Sequence, residues 1–308
     1  MTPLHLAVLN GHRHAAKLLL ERQGNAPEIS TAQAELISLL AHGANPDLSD
    51  LYGRTALHLL LDHNADPNPQ DNTGETALIC AASEGRDEIV RLLLQYHPHL
   101  DPQTHDGGTA LLWAVRCLST ETFTTLLLHT NPVPNLNLQD CNGGTALLWA
   151  ITENHPSVAE TLIQHSANLD IPASEYFGSA FPLICAVRHN VPRTIHQLIQ
   201  HGADLNRQDA NGGTALICAA VEARLDIVRL LLECSSPRLD LDVRDVTGST
   251  ALIWAARNRC ADMVDLLLRK GADYTLRDSK GDSALSWAGR EWAGFGGSVV
   301  VGAVGGDG

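Results

Sequence analysis

The sequence predicts an all-α solenoid of stacked helix-turn-helix units joined by hairpin loops. Two observations carry this expectation. A short helix-opening word recurs nine times, at Thr2, Thr55, Thr76, Thr109, Thr145, Phe181, Thr214, Thr250 and Ser283. From Thr76 onward the copies lie 33, 36, 36, 33, 36 and 33 residues apart, the period of one supersecondary unit copied along a chain. Each word is also followed by a second apolar landmark: EIVRLLL at Glu88, TFTTLLL at Thr122, SVAETLI at Ser157, TIHQLI at Thr194, DIVRLLL at Asp226 and DMVDLLL at Asp262.

The first helix of a unit is the word itself, TALICA, TALLWA or TALIWA, with the opening Thr before a run of good helix formers. Pro follows the opening position at Pro3 and Pro182, where its fixed φ suits a first helical turn. The second helix is amphipathic, because its apolar residues recur at i, i+3 and i+4 and leave one stripe to bury. Between units, stretches such as QDANGGTAL, RDVTGSTAL and RDSKGDSAL carry Asp and Gly at fixed offsets. Asp71, Asp140, Asp209, Asp245 and Asp278 share one position there, as turn residues whose side chains bond the backbone. The glycines allow a positive φ at the tip.

Residues 76–292 are the regular part, and residues 1–75 are irregular. Arg22–Glu35 lacks a first-helix word, and Thr55 to Thr76 spans only 21 residues, which reads as a deletion of about one helix. Residues 293–308, AGFGGSVVVGAVGGDG, form a glycine-rich, low-complexity tail expected to be disordered. The abrupt start, this tail and the short unit at Thr55 are expected of a fragment or an imperfect gene model of a larger protein.

The words TPLHLA at Thr2 and TALHLL at Thr55, with helix ends such as GANPD, GADLN and GADYT, resemble the ankyrin repeat from Met1 to about Trp292. The His of that family's signature stands only at His5 and His58; elsewhere the position is apolar or Ser286. The resemblance implies an ankyrin-repeat α-solenoid of two antiparallel helices plus a β-hairpin per unit, binding proteins on its concave face. It places recognition at inner-helix ends, here Arg116, Thr152, Glu153, Arg188, His189, Glu222, Arg257 and Asn258. At the hairpin tips it points to Asp106, Asn142, Asn211 and Lys280.

Composition narrows the function further. Hydrophobic residues make up 44% and charged residues 18%, as in a chain with a core to bury. The formal charge of −14 disfavours direct nucleic-acid binding and favours a protein partner with a basic patch. The seven cysteines show no zinc-ligand spacing, and no run of 18 apolar residues suggests a membrane span. An intracellular protein, cytoplasmic or nuclear, is expected.

His129, His165 and His201 share a column, but column mates on stacked helices stand about 8–10 Å apart, too far to share an ion. They suit helix C-termini instead. Trp113, Trp149, Trp254 and Trp287 share a column with Cys80, Cys185 and Cys218, which reads as a core position of variable volume. No catalytic or phosphate-binding motif stands out, so neither enzymatic activity nor a cofactor is expected. The expected role is a non-catalytic protein-interaction scaffold. The alternatives are the recognition part of a larger enzyme or signalling protein, or an enzyme site around Asn25–Asn68 involving Glu28, Asp47 or His58.

Overall fold

The computed structural model describes residues 66–128, 130–234 and 239–291. The irregular start up to residue 65, the tail after residue 291 and His129 lie outside the described residues. So do the expectations placed on Thr2, Arg22, Glu28, Asp47, Thr55 and His58. The chain divides into two compact units, Met1–Cys141 and Asn142–Gly308.

The described part of the first unit holds α1 (Ala77–Ser83), α2 (Asp87–Leu94), α3 (Ala110–Arg116) and α4 (Thr120–Leu128). The second unit holds α5 (Ala146–Thr152), α6 (Pro156–Gln164), a 3-10 turn at Glu175–Phe177, α7 (Pro182–Arg188) and α8 (Pro192–Gln200). It continues with α9 (Ala215–Val221), α10 (Leu225–Cys234), α11 (Ala251–Arg257), α12 (Ala261–Arg269) and α13 (Ala284–Glu291). Among the described residues each word opens an inner helix and each landmark forms an outer one. Within the first unit α1 packs on α3 and α2 on α4. Within the second, inner α5, α7, α9, α11 and α13 stack in order, as do outer α6, α8, α10 and α12.

The opening Thr is a side-chain N-cap. The hydroxyls of Thr76, Thr109, Thr145, Thr214 and Thr250 accept the backbone N–H three residues on at 3.2–3.3 Å. Phe181 offers no such bond, and Pro182 at the first helical position removes one N–H that would otherwise need a partner. Pro156 and Pro192 play the same part in outer helices, without having been singled out by the repeat word. The inner helices are short and wholly apolar on the packed side: Ala77 to Ala82 are all buried, as are Leu183 to Val187.

The hairpin loops close without named strands among the described residues; Arg277 and Ser283 form an isolated antiparallel bridge, and single backbone bonds such as Asp209 N–H to Gly213 O at 3.0 Å close other turns. Their order comes from the Asp at the base. Oδ1 of Asp209 accepts the N–H groups of Asn211 and Gly213 at 2.8 Å, and Oδ1 of Asp278 those of Lys280 and Asp282 at 2.9 Å. Neighbouring tips then bond to each other, as Val246 N–H donates to the Asn211 carbonyl at 3.0 Å. A glutamine ladder beside them was invisible as periodic hydrophobicity. Nε2 of Gln103 donates to Gly107 O at 2.8 Å and to Gln139 O at 3.0 Å, and Gln208 spans Gly212 O and Arg244 O in the same way. A side-chain amide has two donors, and each Gln uses them to tie its own turn to the next.

Candidate functional site

The inner-helix C-termini and hairpin turns of the second unit enclose two grooves. One, of about 340 Å³, is lined by Trp149, Thr152, Glu153, Tyr176, Phe177, Cys185, Arg188 and His189. The other, of about 330 Å³, includes Arg188, Asp209, Asn211, Cys218, Val221, Glu222, Asp245, Val246 and Trp254. Six site residues expected from the sequence are thus at a groove: Thr152, Glu153, Arg188 and His189 at the first, and Arg188 again with Asn211 and Glu222 at the second. A larger cavity of about 720 Å³ in the first unit lies among outer loops, between Leu94, Pro98, Leu100, Pro102, Pro132 and Val133, and none of those residues lines it.

The expected core column of tryptophans needs correction. Only Trp149 is buried, at 5% exposure; Trp113, Trp254 and Trp287 are half-buried. The position sits at the edge of the inner helix facing the turn, where a Cys side chain fits behind the backbone but an indole extends over the surface. There it meets the Arg one helical turn later. Arg116 lies 4.8 Å from the Trp113 ring, and Arg290 lies 4.8 Å from Trp287. Arg257 is held between Trp254 at 4.1 Å and Trp287 at 4.8 Å. A guanidinium over an indole face gains cation–π attraction while shielding the ring.

The second oxygen of the hairpin Asp completes this arrangement. Trp254 Nε1 donates to Asp245 Oδ2 at 2.7 Å and Trp287 Nε1 to Asp278 Oδ2 at 3.0 Å. Arg188 forms an ion pair with Asp209 Oδ2, and Arg116 lies 3.9 Å from Asp140 Oδ2. Burial raises the Asp278 pKa, but the Asp282 N–H, the Trp287 indole, the Lys280 N–H and Arg257 outweigh it and hold the carboxyl below its usual range. Asp209, Asp245 and Asp278 therefore do two jobs, one oxygen closing the turn and the other anchoring an Arg or Trp side chain. The nine-residue spacing from Asp245 to Trp254 and from Asp278 to Trp287 was present in the sequence as a signal for this pairing.

The repeat opened by Thr109 lacks it. Thr104 stands where Asp71, Asp140, Asp209, Asp245 and Asp278 stand in other repeats, its hydroxyl accepts Gly108 N–H at 2.9 Å, and the Trp113 Nε1 is buried with no acceptor. Thr104→Asp is expected to supply that acceptor and raise stability by about 1 kcal/mol. Thermal unfolding measures the gain, and it should vanish in a Trp113→Phe background; a gain that persists there would assign it to something other than the indole.

Other predicted site residues are spent on the scaffold. Asn258 Nδ2 donates to Ala220 O at 3.0 Å and Val221 O at 2.8 Å, stapling one inner helix to the preceding one. The Thr152 hydroxyl donates back to Leu148 O at 3.1 Å and Trp149 O at 3.2 Å. Glu222 pairs with Arg224 at 2.7 Å. The Asn142 carbonyl accepts the Ser174 hydroxyl, while Asp106 and Lys280 are exposed at turn tips. Missed by the repeat pattern were Tyr176 and Phe177, which enter through the insertion SEYFGSA in one hairpin. Its departure from the repeat was the available signal.

Cys80, Cys185 and Cys218 are buried, as expected of small apolar side chains. Burial pushes the Cys185 thiol up to about 12 and the Cys218 thiol up to about 11, from 9.0. Alkylation at about pH 8 should label exposed Cys141 and Cys234 and leave Cys80, Cys185 and Cys218 intact until urea unfolds the chain, read by mass spectrometry. Raised folded pKa values also mean that this contribution to stability is whole below pH 9.0 and lost as pH climbs through 11–12. His165 and His201 stand at the C-caps of α6 and α8. Among the described residues no three His, Cys, Asp or Glu side chains converge in a metal-ligand group, and no helix is long and apolar enough to cross a membrane.

Stacked helix pairs with Asp-closed turns and a groove along the inner-helix ends define a helical repeat protein of the protein-recognition class. The chain belongs to the ankyrin repeat family: a model of three ankyrin repeats matches residues 28–103, 58–137, 98–173, 125–209 and 183–278, and a single-repeat model matches 1–33. No curated protein sequence matches it significantly. Among solved structures it is similar to the ankyrin repeat domain of Bcl-3, a member of the IkappaB protein family. That likeness has 26% identity and a TM-score of 0.61, and covers 70% of this chain and 95% of that one.

Proposed function

We propose that this protein is a non-catalytic interaction scaffold, and that a protein partner seats along the inner-helix ends and hairpin turns. Ankyrin repeats are typically protein–protein interaction modules, and the Bcl-3 likeness falls within that pattern. The observation that carries the reading is a set of aromatic and guanidinium groups held partly exposed at the surface of the second unit. Tyr176 is 65% exposed at the first groove; at the second, Val246 is 71% exposed and half-buried Trp254 carries Arg257 on its ring. Exposed aromatic and Arg side chains next to a rigid groove are what interface anchors need. With a net charge of −14, a partner with a basic patch gains in encounter rate.

Affinity capture from cell extract tests this, comparing the wild-type chain with Arg116, Glu153, Arg188 and Arg257 substituted together. Partners held by the wild type and lost by the variant are the expected result. The same partners on both would move the interface elsewhere.

A further inference from the structure

The 340 Å³ groove has a chemistry its neighbour lacks. Its wall is aromatic: the Trp149 and Phe177 centroids are 5.1 Å apart, Tyr176 and Phe177 5.0 Å, and Trp149 and Tyr176 6.0 Å, with both Phe177 contacts edge-on. These contacts fix Tyr176 and Phe177 on the 3-10 turn, although Tyr176 is largely exposed. Rings locked by one another give up little entropy when a ligand lands on them.

The ionisable side chains lining this groove are Glu153, Arg188, His189 and Cys185 beside Tyr176. Arg188 is already committed to Asp209, whose other oxygen is held by turn amides. Glu153, at the C-cap of α5, is exposed and its carboxylate makes no ion pair or hydrogen bond among the described residues. In the neighbouring groove every acid is taken: Asp209 by Arg188, Glu222 by Arg224 and Asp245 by the Trp254 indole. One groove thus combines π faces with an uncommitted carboxylate, the pairing that suits a cation carried on a hydrocarbon stem. A volume near 340 Å³ is at the small end for a ligand site, enough for one side chain of a longer segment.

Building on the protein-recognition reading, we propose that this groove receives an arginine or lysine side chain from an exposed segment of the partner, its stem on Tyr176 and Phe177 and its charge on Glu153. The acidity of the chain brings a basic segment to the surface, and the groove selects where it docks.

The test titrates a fluorescent, otherwise uncharged glycine–serine peptide carrying two arginines into the full chain, with a two-glutamate version as control, followed by anisotropy. The arginine peptide should bind and the glutamate peptide should not. Glu153→Gln is expected to weaken binding about tenfold by removing a charge-assisted contact, and Tyr176→Ala about fivefold by removing one ring face. Asp262→Asn, an equal charge change at an exposed position of outer helix α12 that does not line the groove, should stay within about twofold, since solvent and salt screen exposed charges that do not touch the ligand.

Circular dichroism melting of each variant separates lost binding from lost folding. Equal weakening by Glu153→Gln and Asp262→Asn, or no binding of the arginine peptide, overturns the proposal. A captured protein partner that ignores both Glu153→Gln and Tyr176→Ala also overturns it, while leaving the interaction role intact. Capture of no protein counts against the interaction role, and the peptide titration still decides the groove.

Discussion

Gly212→Ala should lower the stability of the second unit by about 3 kcal/mol, measured by urea unfolding. Two costs add. Gly212 has φ +72°, a left-handed conformation that costs an L-residue about 1–2 kcal/mol. An added Cβ would also lie 2.9 Å from both Asp245 Cα and Val246 N, backbone atoms of the next turn that cannot rotate away. That overlap adds about 1–3 kcal/mol. Two other glycines separate the terms. Gly271 has φ +94° with nothing near its Cβ position, so Gly271→Ala should cost only the conformational part, about 1–2 kcal/mol. Gly289 lies in α13 with open space beside it, and Gly289→Ala should stabilise by about 0.8 kcal/mol. If Gly212 and Gly271 cost the same, the close approach of neighbouring turns is not what demands glycine there.

Phe123→Ala should cost about 3–5 kcal/mol in the first unit. Phe123 is 1% exposed and heads the largest fully buried side chains of the described residues. It lies 33 residues after Val90 and occupies the corresponding buried face of α4. That helix buries Thr122 and Thr125 where α2 presents Ile89 and Leu92, so Phe123 supplies much of its apolar contact. The Thr122 hydroxyl is instead bonded to Asp87 on α2. Phe123→Val, the side chain used one repeat earlier, should cost about 2 kcal/mol, because part of the volume is kept. Denaturant midpoints rank the three proteins, and a Val variant no better than Ala would mean that ring packing, not volume, is what α4 needs.

The legible part of this protein is its periodic part. Thr at most inner-helix starts, Asp at most turns and the apolar face of each outer helix recur at fixed spacing, because each serves contacts within one repeat or between identical positions of adjacent repeats. Helix existence and pairing followed from that alone. The turn glycines were legible as positive-φ sites, and the structure adds why Gly107 tolerates no Cβ: Asp140 Cα would stand 2.8 Å away.

The tryptophans show where periodicity stopped informing. A column accepting Trp and Cys reads as core, yet the indoles of Trp113, Trp254 and Trp287 extend over the surface and are capped by Arg116, Arg257 and Arg290. Similarly, Arg188 and Glu153 looked equivalent as variable surface residues. Arg188 is taken by the hairpin Asp209 of the following repeat, whereas no cation or donor among the described residues contacts the Glu153 carboxylate.

By itself, then, the sequence determined the repeat, the order of helices, the caps and the turn chemistry, since these depend on residues a few positions apart. The tertiary structure alone decided which polar side chains are consumed by the scaffold, which aromatic rings come to the surface, and that the SEYFGSA insertion lies beside Trp149. Several of those outcomes depend on contacts between residues far apart in the chain, as Arg188 with Asp209, Asn258 with Ala220 and Tyr176 with Trp149, where no local period constrains them.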